Sequence, residues 1–540
     1  QGAGTGGRNG SGAAIGRREL EELHLPAAAA AVAEGVVSFM AAYNDIDGVP
    51  CIADEWLLTT KLRQEWGFEG VVMADMFAVD RMFWFAPDPV DAALLALRAG
   101  CDLSNMDTAF SHIERGVLDG RIPVDLVDRA CRRVLRLKLQ LGLLDPPAEP
   151  ARFAPAPAET DLVAAGPVLL QNRGDLLPLP ATARLAVVGP NADDVPALLG
   201  DYVPPLAPGE GTSVLAGLRA RYPRVTHALG SDLIEPVDGG LEAAVAAAAA
   251  ADVAVVVVGS SSARGYDDDF TENGANLVTH RQAHATAGEG YDAAEIALPA
   301  AQQALVEAVA ATGTPIVLVV VSGRPLGLAR VATLCDAILY AWYPGPDGGI
   351  AIADILCGAR EPLGRLTASL PASSATLPVA YNLRLETVSR YIDAENAPAF
   401  RFGAGLGYAR FALGPATLSG SYPQLVVTAP VTNRSARAGG TVVQLYGRVG
   451  GGGVVPRRRC CSASSRSTWP RGSRRRSPSR CCRTRFPGWA GPPAALWTCG
   501  SLDGPGYPES RLRAGIGPGD GHEGSPEQTA RQARPTFAER

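Results

Sequence analysis

Two acidic residues of this chain stand where a carboxylate can do chemistry. Asp75 closes the run Glu65-Trp66-Gly67-Phe68-Glu69-Gly70-Val71-Val72-Met73-Ala74-Asp75, which passes from a helix end through a turn into a buried strand. The carboxylate is delivered at the strand's C-terminal tip, and in a β/α barrel that tip is where reacting groups sit. Glu289 lies between glycines in Ala287-Gly288-Glu289-Gly290-Tyr291-Asp292, ahead of the helical run that begins near Leu298-Pro299. Two carboxyls from separate domains suit cleavage of an acetal with retained configuration, in which one acid stays ionised to attack while the other holds a proton. Asp75 suits the first role and Glu289 the second. Each has a plainer reading as well: a strand-end Asp caps the next helix, and Gly-Glu-Gly is an ordinary flexible turn.

The elements that must position these acids alternate between strand and helix. Ala27 to Glu34 reads as a helix, Val36 to Ala42 as a buried strand, Trp56 to Glu65 as a helix and Val71 to Ala74 as the next strand. Pro89 to Ala99 is again helical and Cys101 to Ser104 a short strand. Pro123 to Leu143 is an amphipathic helix offering Val124, Leu126, Val127, Ala130, Val134, Leu135 and Leu137 for burial. The fold class is therefore α/β, with residues 1–145 forming the C-terminal part of a TIM-type (β/α)8 barrel, about three or four βα units. The Pro/Ala-rich residues 146–160 read as a linker. Leu185 to Val188, Val253 to Val258 and Pro315 to Val321 are continuous apolar strands alternating with the helical Leu241 to Ala250 and Ala300 to Ala311. An open, mostly parallel α/β sandwich over 161–385 buries them. Residues 386–450 read as a connector and the start of a small β-sandwich, with strands at Leu425 to Thr428 and Thr441 to Tyr446.

From 451 to 540 the apolar periodicity stops and Arg457-Arg458-Arg459-Cys460-Cys461 and Arg480-Cys481-Cys482-Arg483 take over. Disorder is expected there, as in an out-of-frame tail, in preference to a basic arm for nucleic acid. The net charge of −6 and the absence of an apolar run of membrane-spanning length point to no nucleic-acid and no membrane partner. Only Lys61 and Lys138 are lysines among 49 basic residues, the mark of a GC-rich coding sequence. Gln1-Gly2-Ala3-Gly4-Thr5 carries no initiator Met and no apolar signal core, so the chain is expected to begin inside a longer protein and its compartment stays unassigned. Cys51, Cys101, Cys131, Cys335 and Cys357 read as buried thiols rather than disulfides or a zinc site. The acidic stretch Asp267-Asp268-Asp269-Phe270-Thr271-Glu272 fits no EF-hand spacing, and no glycine-rich phosphate loop precedes a helix, so no metal and no cofactor are expected.

Ala41-Ala42-Tyr43-Asn44, Asp47-Gly48-Val49-Pro50-Cys51, Glu65-Trp66-Gly67-Phe68 and Gly288-Glu289-Gly290-Tyr291-Asp292 together resemble glycoside hydrolase family 3, in its β-glucosidase and β-xylosidase branch. The resemblance continues through Gly189-Pro190-Asn191-Ala192, Ser322-Gly323-Arg324-Pro325-Leu326, Tyr343-Pro344-Gly345 and Phe402-Gly403-Ala404-Gly405-Leu406-Gly407-Tyr408. It implies a barrel, an α/β sandwich and a fibronectin type III-like β-sandwich, the last incomplete in this chain. It further implies Asp75 as nucleophile, Glu289 as acid/base, Tyr43 close enough to the nucleophile to donate a hydrogen bond to it, and Arg8 on sugar hydroxyls. Met76 stands where the family carries Trp or Tyr beside the leaving-group site, and Ala293 where it carries Arg. The implied substrate is a glycoside whose terminal glucose or xylose is removed. The family's N-acetylglucosaminidase branch, with an Asp/His dyad and no second domain, fits less well. The alternative is a non-catalytic remnant, because the family's substrate-binding Lys-His pair and the front of its barrel would precede Gln1. On that reading the first domain is poorly folded.

Overall fold

The computed structural model describes residues 4–145, 163, 165–203, 206–207, 209–262, 285–384, 391–394, 397–421, 424–450, 455–457, 460–469, 474–480, 494–500 and 510–515. These fall into two compact units, one made of residues 1–167, 179–360 and 373–375, the other of 168–178, 361–372 and 376–540. The linker expected at 146–160 and the acidic stretch at 267–272 lie outside the described residues.

The first unit opens with β/α alternation. Helix α1 (Pro26–Ala33) leads into strand β1 (Ser38–Ala41), and a π-helical segment, Trp56–Glu65, into β2 (Val71–Ala74). The two strands run parallel, with Ser38 opposite Val71 and Ala41 opposite Ala74. Past β2 the strand expected at Cys101 to Ser104 is a single parallel bridge, Met73 to Leu103. Helix α2 (Pro89–Ala99) begins where the Asp88 carboxylate accepts the Val90 N–H and ends at Gly100 in the left-handed region. Its Val90, Ala93, Ala96 and Leu97 pack with Val72, Ala74 and Ile122 in one core.

Helix α3 (Val124–Gln140) meets the expectation in part: Ala130 is buried and Leu126 and Val127 pack against the same core, whereas Val124 and Leu135 are exposed. Arginines add polar ties to that packing. Arg129 donates to the Leu97 carbonyl at 2.6 Å, and Arg133 reaches Asp102 at 2.8 Å. The Asp102 carboxylate also takes Arg63 at 2.6 Å and the Val72 N–H at 3.0 Å, so one buried acid ties three elements together.

The α/β part of the same unit holds β3 (Arg184–Val188), β4 (Arg224–Ala228), β5 (Val253–Gly259), β6 (Ile316–Val321) and β7 (Ala337–Trp342). They neighbour one another in the order β7-β6-β5-β3-β4, all parallel. Every residue of β5 and β6 is buried, as continuous Val-rich runs require, while β4 at the edge exposes three of its five. Helices α4 (Val214–Arg219), α5 (Gly240–Ala249), α6 (Ala300–Ala310) and α7 (Gly348–Leu356) connect them. From β3 the chain goes out to β4 and returns to β5 on the other side. The loops leaving the C-terminal ends of β3 and β5 therefore start side by side, the place where open α/β sheets form a ligand crevice.

The second unit includes residues 168–178 and 361–372, where Leu169 makes an antiparallel bridge to Leu406 and Leu370 to Phe400. Strands β8 (Phe411–Leu413), β9 (Thr417–Ser421), β10 (Gln424–Asn433) and β13 (Arg474–Arg480) make one four-stranded sheet. A second is made by β11 (Gly439–Gly450), β12 (Cys460–Trp469), β14 (Ala494–Gly500) and β15 (Ser510–Gly515). Beyond residue 450 the described residues include the strands β12 to β15. The ladder is made by backbone N–H and C=O groups, which every residue but proline carries in full, so pairing does not require the apolar alternation whose absence suggested disorder. Among the described residues β13, with Pro478, pairs only with β10, at an edge where a missing donor is tolerated.

Candidate active site

Asp75 follows directly on β2. Its N–H donates to the Ala41 carbonyl of β1 at 2.9 Å, while the Ala74 N–H donates to Leu103 at 2.7 Å, so the tip is fixed from both sides. The Asp75 carboxylate is half-buried and accepts the Met76 N–H at 2.7 Å. Phe77 then turns the chain with φ 57°, donating to the Asn105 carbonyl at 3.2 Å. Two more acids in these loops are engaged by backbone. Asp80 accepts the N–H groups of Thr108 and Ala109 at 2.7 and 2.9 Å, and Asp107 those of Val79 and Asp80 at 2.8 and 2.9 Å. Burial pushes the Asp107 carboxyl above the usual range, with the hydrogen bond from the Asp80 N–H opposing it. These reciprocal ties lock the loop after β2 to the loop after Leu103.

Glu289 sits in the loop after β5. Thr286 and Ala287 donate to the Ser261 carbonyl at 2.8 and 3.0 Å, and Arg324 holds the Tyr291 carbonyl at 2.6 Å. The Glu289 N–H donates to Asp201 Oδ2 at 2.8 Å. The carboxyl itself is bracketed by two phenols: Tyr202 hydrogen-bonds Oε2, and Tyr43 donates to Oε1 at 3.3 Å. Asn9 joins the site from the N-terminal segment. Its side chain donates to the Tyr43 hydroxyl at 2.9 Å and its N–H to Asp292 at 2.9 Å. Gly10 beside it has φ 70°, and a Cβ there would stand 2.8 Å from the Tyr43 ring and 2.9 Å from the Arg81 guanidinium, which lies 3.9 Å over that ring.

Tyr43 is where the two acids meet. Burial raises its hydroxyl pKa above the ordinary phenol value, the negative charges of Glu289 and Asp75 raise it further, and Asn9 and Arg81 oppose the shift. The hydroxyl therefore keeps its proton and acts as a donor. The hydrogen bond foreseen from Tyr43 to Asp75 is directed to Glu289 instead, with Asp75 acting on Tyr43 through its charge.

Of the other residues singled out in the sequence, Met76 contributes its N–H to Asp75 and is half-buried. Arg8 is exposed in the turn after Thr5–Gly7, and among the described residues its guanidinium makes no hydrogen bond or ion pair; its neighbour Asn9 enters the site in its place. Asn9, Arg81, Asp201 and Tyr202 were not foreseen. The only signal for the last two is their position in the loop after β3, beside the loop after β5. Among the described residues no group of three or more His, Cys, Asp or Glu side chains is arranged to hold a metal ion.

Comparison with known proteins places these features in company. The N-terminal domain model of glycosyl hydrolase family 3 matches residues 1–137 and the C-terminal domain model residues 167–408. A periplasmic β-glucosidase of Salmonella typhimurium is 31% identical over 487 residues, covering 82% of this chain and 62% of that protein. A β-xylosidase of Formosa agariphila is 33% identical over 485 residues, covering 82% and 63%. The chain thus spans a little over three fifths of the length of these relatives. Among solved structures, a mutant β-glucosidase from Listeria innocua in complex with laminaribiose superposes with TM-score 0.85 at 28% identity, covering 95% of this chain and 72% of that one. A β-glucosidase from Erythrobacter marinus does so with TM-score 0.82 at 30% identity, covering 95% and 72%.

Proposed function

Since the chain belongs to glycoside hydrolase family 3, we propose that it carries the two catalytic acids of a retaining, exo-acting β-glycosidase that releases glucose or xylose from β-glycosides. Asp75 is the nucleophile and Glu289 the acid/base. The observation that supports this best is the Tyr43 hydroxyl, which bonds Glu289 Oε1 at 3.3 Å and lies in the field of Asp75, so that acids from two separate α/β layers face one substrate position.

In the first step an Asp75 oxygen attacks the anomeric carbon as the bond to the leaving oxygen breaks, and Glu289 gives that oxygen its proton. In the second, Glu289, now a carboxylate, takes a proton from water, whose oxygen attacks the anomeric carbon and releases Asp75 as the free carboxylate. Two inversions return the original configuration, and the carboxyls approach to about 5 Å. Tyr43, a donor to Glu289, steadies the carboxylate formed between the steps. Met76, beside the nucleophile, borders the leaving-group side with a flexible thioether in place of a flat ring. Relatives named for glucose and for xylose match about equally well, so both sugars are candidate substrates.

The test is an assay with aryl β-D-glucosides and β-D-xylosides, using the chain extended to the full barrel length of its relatives. NMR of the first-formed sugar is expected to show the β anomer. Release of the α anomer, or full turnover by Asp75→Ala, contradicts the assignment.

A further inference from the structure

Resting on the glycosidase reading, we propose that Asp201 is a positioning residue for the acid/base, fixing the Glu289 loop through its backbone without touching substrate. Both carboxylate oxygens of Asp201 are engaged by main chain: Oδ2 accepts the Glu289 N–H at 2.8 Å and Oδ1 the Tyr202 N–H at 2.9 Å. The approach is close enough to need glycine at the preceding position. Gly288 has φ 111°, and a Cβ there would stand 2.6 Å from Asp201 Oδ2.

The residue after Asp201 is shaped by the same contact. Tyr202 holds φ 54°, a left-handed conformation unfavourable for a bulky side chain, and is 70% exposed, yet its hydroxyl reaches Glu289 Oε2. Unfavourable backbone of this kind persists where surrounding bonds enforce it. Here the Asp201 carboxylate supplies such a bond on one side and the Glu289 contact the other. The topology explains why the two loops meet at all: β3 and β5 are parallel neighbours, so the segments leaving their C-terminal ends emerge together. Tyr43 covers the other carboxyl oxygen. With Asp201 setting the chain's position and a phenol against each oxygen, Glu289 has little freedom to turn away from the leaving group.

The experiment compares wild type, Asp201→Ala and Asp201→Asn in the full chain by amide hydrogen exchange resolved at Glu289. Loss of a charge-assisted hydrogen bond is expected to speed exchange at Glu289 by about tenfold or more in Asp201→Ala, while Asp201→Asn, which keeps an acceptor oxygen, stays within about threefold of wild type. The melting temperature should not move in step. Unchanged exchange at Glu289, or faster exchange spread evenly over the unit, overturns the proposal. A kinetic arm assays the same variants beside Asp75→Ala and Glu289→Ala on aryl glycosides with good and poor leaving groups, in the barrel-length form. Asp201→Ala should lower kcat mainly for poor leaving groups, with KM little changed. If Asp75→Ala and Glu289→Ala behave as assigned while Asp201→Ala keeps the wild-type leaving-group dependence, the positioning role alone falls. If Asp75→Ala keeps its turnover, the glycosidase reading falls and the exchange result judges the Asp201 contact by itself.

Discussion

In the barrel portion, β1 pairs among the described residues only with β2, and Met40 is 57% exposed, whereas β5 in the α/β portion lies between β3 and β6 with all seven of its residues buried. Asp75, the proposed nucleophile, directly follows β2, and Glu289, the proposed acid/base, lies in the loop after β5. Polar ties reach the two carboxyls by different routes. At Asp75 they are the Asp102 cluster behind β2, and the exchange of backbone N–H groups by Asp80 and Asp107 in front. At Glu289 the sheet is rigid but the acid lies in a loop, so its precision depends on Asp201, Tyr202 and Tyr43.

The largest expected effect separates the two acids chemically. Asp75→Ala should lower turnover by about 10⁴-fold or more on every substrate, since no other group makes the covalent bond. Glu289→Ala should cost about 10²–10⁴-fold on glycosides with poor leaving groups and much less on activated aryl ones, which need little protonation. Equal losses on both substrate types would make Glu289 structural and remove the division of labour.

Next come the supports. Asp102→Ala removes a buried acid from the buried Arg63 side chain and the half-buried Arg133 and should destabilise the barrel portion by about 3–5 kcal/mol, read as the denaturation midpoint. Leu305→Ala, which opens a cavity in the fully buried core under β5, should cost about 2–5 kcal/mol. Met40→Ala, at the exposed position of β1, should stay within about 0.5 kcal/mol. A large loss there would mean that Met40 is more deeply buried than its 57% exposure shows.

Much of this was legible in the sequence, and unevenly. Val71 to Ala74, Pro89 to Ala99 and the Val-rich β5 and β6 could be read directly, because capping residues and continuous apolar runs are local signals. β4, with Arg224 and His227 among its exposed residues, has too few apolar positions to announce itself. α3 was legible in part: Leu126, Val127 and Ala130 pack on the core as read, while Arg129 and Arg133, which count as polar in any periodicity, also face inward. β12 to β15 carry no apolar alternation to read, because backbone pairing does not need it. At the site, Asp75, Glu289 and Tyr43 stood in recognisable motifs. Asn9, Arg81, Asp201 and Tyr202 are brought in by contacts between distant segments, and no local pattern marks them.

The smallest effect lies at the foot of the α/β sheet. Arg184 holds the exposed Asp252 carboxyl down to about 2, through its side-chain hydrogen bond first and its N–H second. A carboxyl depressed in the folded state stabilises above its unfolded value and loses that contribution as pH falls through the folded one. Acid titration of stability from pH 4 toward about 2 should therefore be slightly shallower in Asp252→Asn than in wild type, and only at low salt.

The central claim is that Asp75 forms a bond to the sugar and that Glu289, on a different layer, does not. Incubation of the barrel-length protein with an activated 2-deoxy-2-fluoro-β-glucoside or β-xyloside slows both steps and lets the glycosyl-enzyme accumulate, and peptide mass spectrometry then locates the sugar. The account predicts one fluoroglycosyl group, esterified to Asp75. A label on Asp80, Asp107 or Glu289, or steady turnover with no covalent adduct, would contradict it.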